Sequence, residues 1–133
     1  MSPEEFKRRT FEYGLRVVRL VQALPKGDAP RDLGRQLLRA GTSVGANYRA
    51  AARARSRPDF VAKLGIVEEE CDETLYWIEM LRELGLVKAK RVQSLYDEGT
   101  EILAMVVASI TTARPRAKTL RALRKSSKRS HHS

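Results

Sequence analysis

Arg35-Gln36-Leu37-Leu38-Arg39-Ala40-Gly41-Thr42-Ser43-Val44-Gly45-Ala46-Asn47-Tyr48, followed at Ser56-Arg57-Pro58-Asp59-Phe60 by a stop and a restart, sets the architecture of this chain. Leu37, Ala40, Val44 and Asn47 recur at steps of three and four, the spacing of one helix face. Gly34, Gly41 and Gly45 interrupt that face, and each costs about 1 kcal/mol against Ala inside a helix. Such residues are tolerated where a second helix must come close. Arginines flank the small residues on both sides. The layout predicts helix-on-helix packing between subunits rather than a catalytic centre. A phosphate-cradling glycine loop is the competing reading, and it fails because no strand precedes the glycines and no Gly-Lys-Ser/Thr follows them.

Working outward, a first helix is expected from Ser2. Ser2-Pro3-Glu4-Glu5 has capping-box spacing with Pro at the first helical position. Phe6, Tyr13, Val17, Leu20, Val21 and Leu24 form its stripe, and Pro25-Lys26-Gly27-Asp28 ends it. The second helix begins near Asp28 to Pro30, with Leu33, Leu37, Ala40, Val44, Asn47 and Ala51 inward. The third opens at Ser56, which offers a capping hydroxyl, and carries Phe60, Leu64, Val67, Cys71, Thr74, Ile78 and Leu81 in a coiled-coil-like seam. Gly85 and Leu86 supply its C-terminal cap. The fourth runs from about Lys88 to Thr112 on Val92, Leu95, Gly99, Ile102, Val106 and Ile110, and Pro115 limits it. Four amphipathic helices with short links make an all-α bundle over residues 1–113.

The 133 residues carry a net charge of +10. Ala113 to Ser133 hold eight basic residues and no acid, leaving 18 basic and 16 acidic side chains elsewhere. The excess charge is therefore a property of a tail, residues 114–133, which has almost nothing to bury and is read as disordered in isolation. The one cysteine, Cys71, allows no intrachain disulfide. No apolar run reaches the roughly 18 residues needed to span a bilayer. Met1-Ser2-Pro3-Glu4-Glu5 is acidic and polar, unlike a signal peptide, so no membrane partner and a cytoplasmic location are expected.

The pattern Gln36-Leu37-x-Arg39-Ala40-x-x-Ser43-Val44-x-Ala46-Asn47-Tyr48, then Ser56-x-x-Asp59-Phe60, then Glu73-Thr74-Leu75-Tyr76-Trp77, resembles the bacterial four-helix-bundle family named for proteins encoded in intervening sequences of 23S ribosomal RNA genes. The resemblance covers about Leu15 to Ile110. It implies an up-and-down antiparallel four-helix bundle assembled into a ring, with a homopentamer as the expected form. A more distant relative is the accessory protein of diversity-generating retroelements, a basic pentamer that works with a reverse transcriptase and nucleic acid. That relation implies a reverse transcriptase or another protein as a partner class. One departure is visible: relatives usually carry Glu two residues after the Tyr of Asn-Tyr, where this chain has Ala50. Arg49 and Arg53 accordingly have one fewer partner than the family pattern implies.

No catalytic set converges in the sequence. Glu68-Glu69-Glu70, Asp72 and Glu73 stand at one-turn spacings, but di-metal bundles also need Glu-x-x-His, and the only histidines are His131 and His132. The acidic run reads as a salt-bridged or solvated face rather than a metal site, with arginines of the second helix as partners. No cofactor is expected. Cys71 reads as a packing residue, and the Arg-x4-His signature of helical-bundle ribonucleases is absent. The expectation is a protein that is not an enzyme.

The strongest binding candidates are Arg35, Arg39, Arg49, Arg53, Arg55 and Arg57, read as ridges on the second helix. Arg suits bidentate phosphate contact, and pairing with the acidic third helix weighs equally against it. The tail's Arg114, Arg116, Lys118, Arg121, Arg124, Lys125, Lys128 and Arg129 suit non-specific contact with RNA or DNA. Tyr48, Tyr76 and Trp77 read as packing or interface residues before base-stacking ones. Gly41 and Gly45 read as close-approach positions, and Asn47 as the polar seam residue that sets register or subunit number. Two functional classes follow. One is a ring-forming bundle that binds nucleic acid; the other is a scaffolding module with no nucleic-acid ligand.

Overall fold

The computed structural model describes residues 1–114. The expectations for residues 115–133, including the tail's order and its cations from Arg116 onward, lie outside the described residues. Four helices are formed: α1 Pro3–Gln22, α2 Asp28–Ala52, α3 Arg57–Glu83 and α4 Ala89–Ala113. The described residues contain no strand.

The helix ends follow local chemistry. Ser2 Oγ accepts the Glu5 N–H at 3.1 Å while the Ser2 N–H donates to Glu5 Oε2 at 3.2 Å, a complete capping box. Ser56 Oγ accepts the Asp59 N–H at 3.2 Å at the start of α3. At its other end Gly85 has φ +70°, and the Leu86 and Gly85 N–H groups donate to Leu81 and Arg82 carbonyls at 3.0 Å each. That pair of bonds is a Schellman motif, which requires the left-handed conformation glycine adopts without strain.

The contacts give the helix directions. Gly14 faces Gly41 and Thr42, whereas Gly45 faces Thr10 and Gly34 faces Val21 and Leu24, so α1 and α2 run antiparallel. Tyr96 of α4 bonds Glu79 of α3, and Gly99 of α4 lies against Cys71 and Leu75 of α3. Each helix packs on its neighbours in sequence, α4 closes back on α1, and the diagonal backbones stay apart, meeting only through core side chains. This is the up-and-down antiparallel four-helix bundle. Its core contains Tyr13, Val17, Leu37, Val44, Leu64, Val67, Ile78, Leu81, Val92, Ile102 and Val106, all at 1% exposure or less.

The close approach expected at Gly41 and Gly45 is made inside the chain by α1, not between subunits. A Cβ on Gly41 would stand 2.6 Å from a methyl of Val17, and one on Gly45 would stand 3.2 Å from the Thr10 backbone. Val17 is β-branched and has little rotamer freedom to yield. Gly65 on α3 differs, because a Cβ there would meet nothing within 4 Å.

The stripe on α2 also differs in detail from the expected one. Tyr48 is buried, with its ring 4.6 Å from that of Phe6 in an edge-on arrangement. Asn47 is half-buried beside the stripe and donates from Nδ2 to the Ser43 carbonyl of its own helix at 2.8 Å. The bulkier apolar neighbour takes the inward position, and the amide is satisfied one turn back.

The seam between α1 and α4 is clamped by Arg9. Its guanidinium donates to both carboxylate oxygens of Glu98, at 2.9 and 2.6 Å, and to Glu101. The Arg9 bond is the main reason the Glu98 carboxyl lies below its ordinary pKa, against an opposing effect of burial. A depressed carboxyl stabilises the fold above its unfolded-state pKa and loses that contribution as pH falls through the folded value.

Two predictions follow from this packing. Gly41→Ala should destabilise by about 1–2 kcal/mol, overpacking against Val17 outweighing alanine's helix preference. Gly65→Ala should instead stabilise by about 0.5–1 kcal/mol. Urea midpoints of the two variants test this, and shifts of the same sign would refute it. In acid, Glu98→Gln should lose less stability than the parent chain as pH falls below about 4, where the unfolded glutamate protonates. Parallel pH–stability curves would contradict that assignment.

Candidate nucleic-acid interface

The arginines expected on the second helix separate by environment. Arg39 is committed within the chain. Its guanidinium donates to Glu70 at 3.4 Å and to Glu73, and Glu73 also accepts the Trp77 indole N–H at 3.2 Å. Hydrogen bonding to Arg39, with a smaller share from Trp77, holds the Glu73 carboxyl below its usual range although burial opposes it. For Arg39 the competing pairing is observed: it bonds the acidic face of α3 while its side chain stays half exposed.

The other five, Arg35, Arg49, Arg53, Arg55 and Arg57, are exposed and make no ion pair among the described residues. They do not form two ridges on one helix, because α2 ends at Ala52. Arg53 is its C-cap residue, Arg55 lies in the link, and Arg57 opens α3. Arg53, Arg55 and Arg57 therefore cluster at a corner, with Arg49 on the last turn of α2, whereas Arg35 lies in the first half of α2, away from them.

That corner adjoins the end of α4. A groove of about 610 Å³ is lined by Ala54 and Arg57 from the α2–α3 junction, Phe60 of α3, and Ser109, Thr112 and Ala113 of α4. Arg114, exposed, caps α4 at the same end. The bundle thus places the unpaired arginines of the α2–α3 corner beside the point where the basic tail leaves.

A second groove, of about 390 Å³, runs between α1 and α2, with Phe11, Leu15, Val18 and Ala46 along it and Arg49 and Arg53 beside them. Phe11 is 41% exposed. The guanidinium carbons of Arg8 and Arg49 stand 5.5 and 5.4 Å from its ring centroid, within cation–π range. Sequence reasoning missed Phe11. The available signal was its position off the stripe of the first helix, an aromatic side chain where a polar one belongs.

Of the remaining expected packing residues, Tyr76 is 51% exposed and meets Trp77 edge-on at 4.9 Å, while Trp77 is half-buried against the core. Cys71 is fully buried, and its thiol donates to the Gly99 carbonyl at 3.4 Å. Burial first, and Asp72 second, push that thiol up to about 12. The thiolate is the nucleophilic form, so Cys71 is inert at neutral pH. No group of three or more His, Cys, Asp or Glu side chains among the described residues is arranged to hold a metal. No helix among them is long and apolar enough to cross a membrane.

An antiparallel bundle with an acidic α3 face and an arginine corner defines the class. Comparison with known proteins gives the family. The model of the 23S rRNA-intervening sequence protein family matches residues 5–108, and the chain belongs to that family. A similar solved structure is that of a protein of unknown function from the S23 ribosomal protein family of Bacteroides thetaiotaomicron VPI-5482. It is 34% identical, with a TM-score of 0.77, and the match covers 84% of this chain and 99% of that one. No curated protein matches the chain.

The state of Cys71 is directly testable. Iodoacetamide at pH 8 should leave the folded protein unlabelled and modify it fully in denaturant. Rapid labelling of the native chain would contradict the buried, protonated thiol.

Proposed function

We propose that this protein is a non-enzymatic, ring-forming helical bundle of the cytoplasm that binds RNA or DNA through its arginine corner and basic tail. The supporting observation is the convergence of Arg53, Arg55, Arg57 and Arg114 at the end where α2, α3 and α4 meet, with no carboxylate paired to them among the described residues. Seven further basic residues follow Arg114 in the sequence, from Arg116 to Arg129, with no acid among them, so the chain's charge excess issues from this same end. Phe11 beside Arg49 supplies an aromatic face of the kind single-stranded nucleic acids stack on. A homopentameric ring, the form the resemblance implies, would repeat the corner around an axis and turn a modest patch into a basic band.

A second reading is a scaffolding module. It is favoured by the outer face of α3, where Gly65, Ile66 and Tyr76 are unpacked by the chain itself. A reverse transcriptase or another protein partner belongs to this reading.

The two are separated by salt-titrated binding to RNA, single-stranded DNA and duplex DNA. The full chain is compared with a version ending at Ala113 and with an Arg49→Ala, Arg53→Ala variant. Binding should weaken with salt, by a slope near −0.9 per phosphate contact on duplex DNA. Truncation should reduce that slope, and the double substitution should reduce what remains. If neither the full nor the truncated chain binds at moderate salt, the nucleic-acid reading fails and scaffolding stands. Light scattering tests the ring separately, and a monomer at micromolar concentration would sink it.

A further inference from the structure

At the opposite end of the bundle from the arginine corner, α1 and α4 flank an open surface pocket of about 300 Å³ lined by Arg16, Arg19 and Arg91, over a floor of Leu20, Val92 and Leu95. We propose that this pocket binds the phosphate of a nucleotide unit, with the aliphatic floor under its base or sugar. The three arginines come from two helices far apart in sequence, and none makes an ion pair among the described residues. Arg16 is half-buried and donates to Ser94 Oγ at 2.9 Å, which fixes its guanidinium beside the pocket and leaves other N–H donors uncommitted. The carboxylate electrostatically coupled to Arg16, Glu98, is already hydrogen-bonded by Arg9. The pocket lining contains no acid.

Three guanidinium groups without an ion pair among the described residues line one apolar floor, a concentration of positive charge that favours an anion there. Planar forks on more than one side fit a tetrahedral phosphate, which offers several acceptor oxygens, better than a single carboxylate. The start of α4 adds to the field. Its first turn holds Lys90 and Arg91 and no acid, and no side chain caps it. The apolar floor distinguishes the pocket from a bare sulfate or phosphate cradle, because it gives a nucleotide's non-ionic part a surface to cover. The source is a free nucleotide or the backbone of a strand, and the same chemistry serves either. The inference does not rest on the arginine corner.

The test uses the full chain and two probes: 5′-AMP by titration calorimetry, with adenosine as the phosphate-free control, and a fluorescein-labelled single-stranded RNA dodecamer by anisotropy. Arg16→Ala with Arg91→Ala should weaken at least one probe tenfold or more, and Arg19→Ala, at an exposed position, threefold or more with an unchanged thermal melt. Arg49→Ala with Arg53→Ala should leave 5′-AMP affinity unchanged. Loss confined to 5′-AMP assigns a free-nucleotide site; loss confined to RNA assigns a strand-backbone site. Failure of the corner alone would appear as RNA binding insensitive to Arg49 and Arg53 but sensitive to Arg16 and Arg91. If the pocket variants match the parent chain with both probes, or adenosine binds as well as 5′-AMP, the proposal is overturned.

Discussion

The approach of α1 to α2 fixes the rest of the molecule. Val17 occupies the space a side chain at Gly41 would need, and the Thr10 backbone lies against Gly45. Helices this close must meet at small residues, and the register of one against the other is then set within a residue. That register turns Tyr13 and Val17 inward, sends Phe11 outward, and brings Arg49 to the Phe11 ring. It also carries Arg9 to the side of α1 that faces α4. The α1–α2 groove and the α1–α4 clamp are two consequences of one steric fit.

Electrostatics then sorts the arginines. The folded part is nearly balanced in charge, so an exposed arginine has no partner only where the fold moves it away from acids. Arg39 lies one helix away from Glu70 and Glu73 and is neutralised. Arg53, Arg55 and Arg57 lie past the end of α2, beyond reach of the acidic run in the middle of α3. Surface pairs of the Arg39 kind contribute little to stability, about 0–1 kcal/mol. Their larger effect is on which cations remain exposed to a polyanion.

Legibility in the sequence followed the range of each interaction. Ser2, Ser56 and Gly85 were readable because a cap is decided by residues three or four apart. The α3 and α4 stripes were readable because burial repeats with the helix. The identity of the inward residue at the end of the α2 stripe was not, since Asn47 and Tyr48 differ by one position and only the opposing Phe6 decides between them. The partner of the Gly41 surface was not either, because small residues announce a neighbour without saying whose helix it is. Arg9 with Glu98, and Arg16 with Ser94, join the first helix to the last, and no local spacing encodes such pairs.

The seam between α1 and α4 has a kinetic consequence. The other three helix pairs are hairpins joined by links of four or five residues, so each forms at a small loop-closure cost. Closing α1 on α4 instead joins helices from opposite ends of the chain, and these two touch least. Their contact has the longest sequence separation and gains much of its definition from one polar clamp. In a folding reaction it belongs after the hairpins, and in the native ensemble it is where the bundle opens at least expense. Amide hydrogens facing that seam would exchange through this opening, while those between α2 and α3 wait for global unfolding.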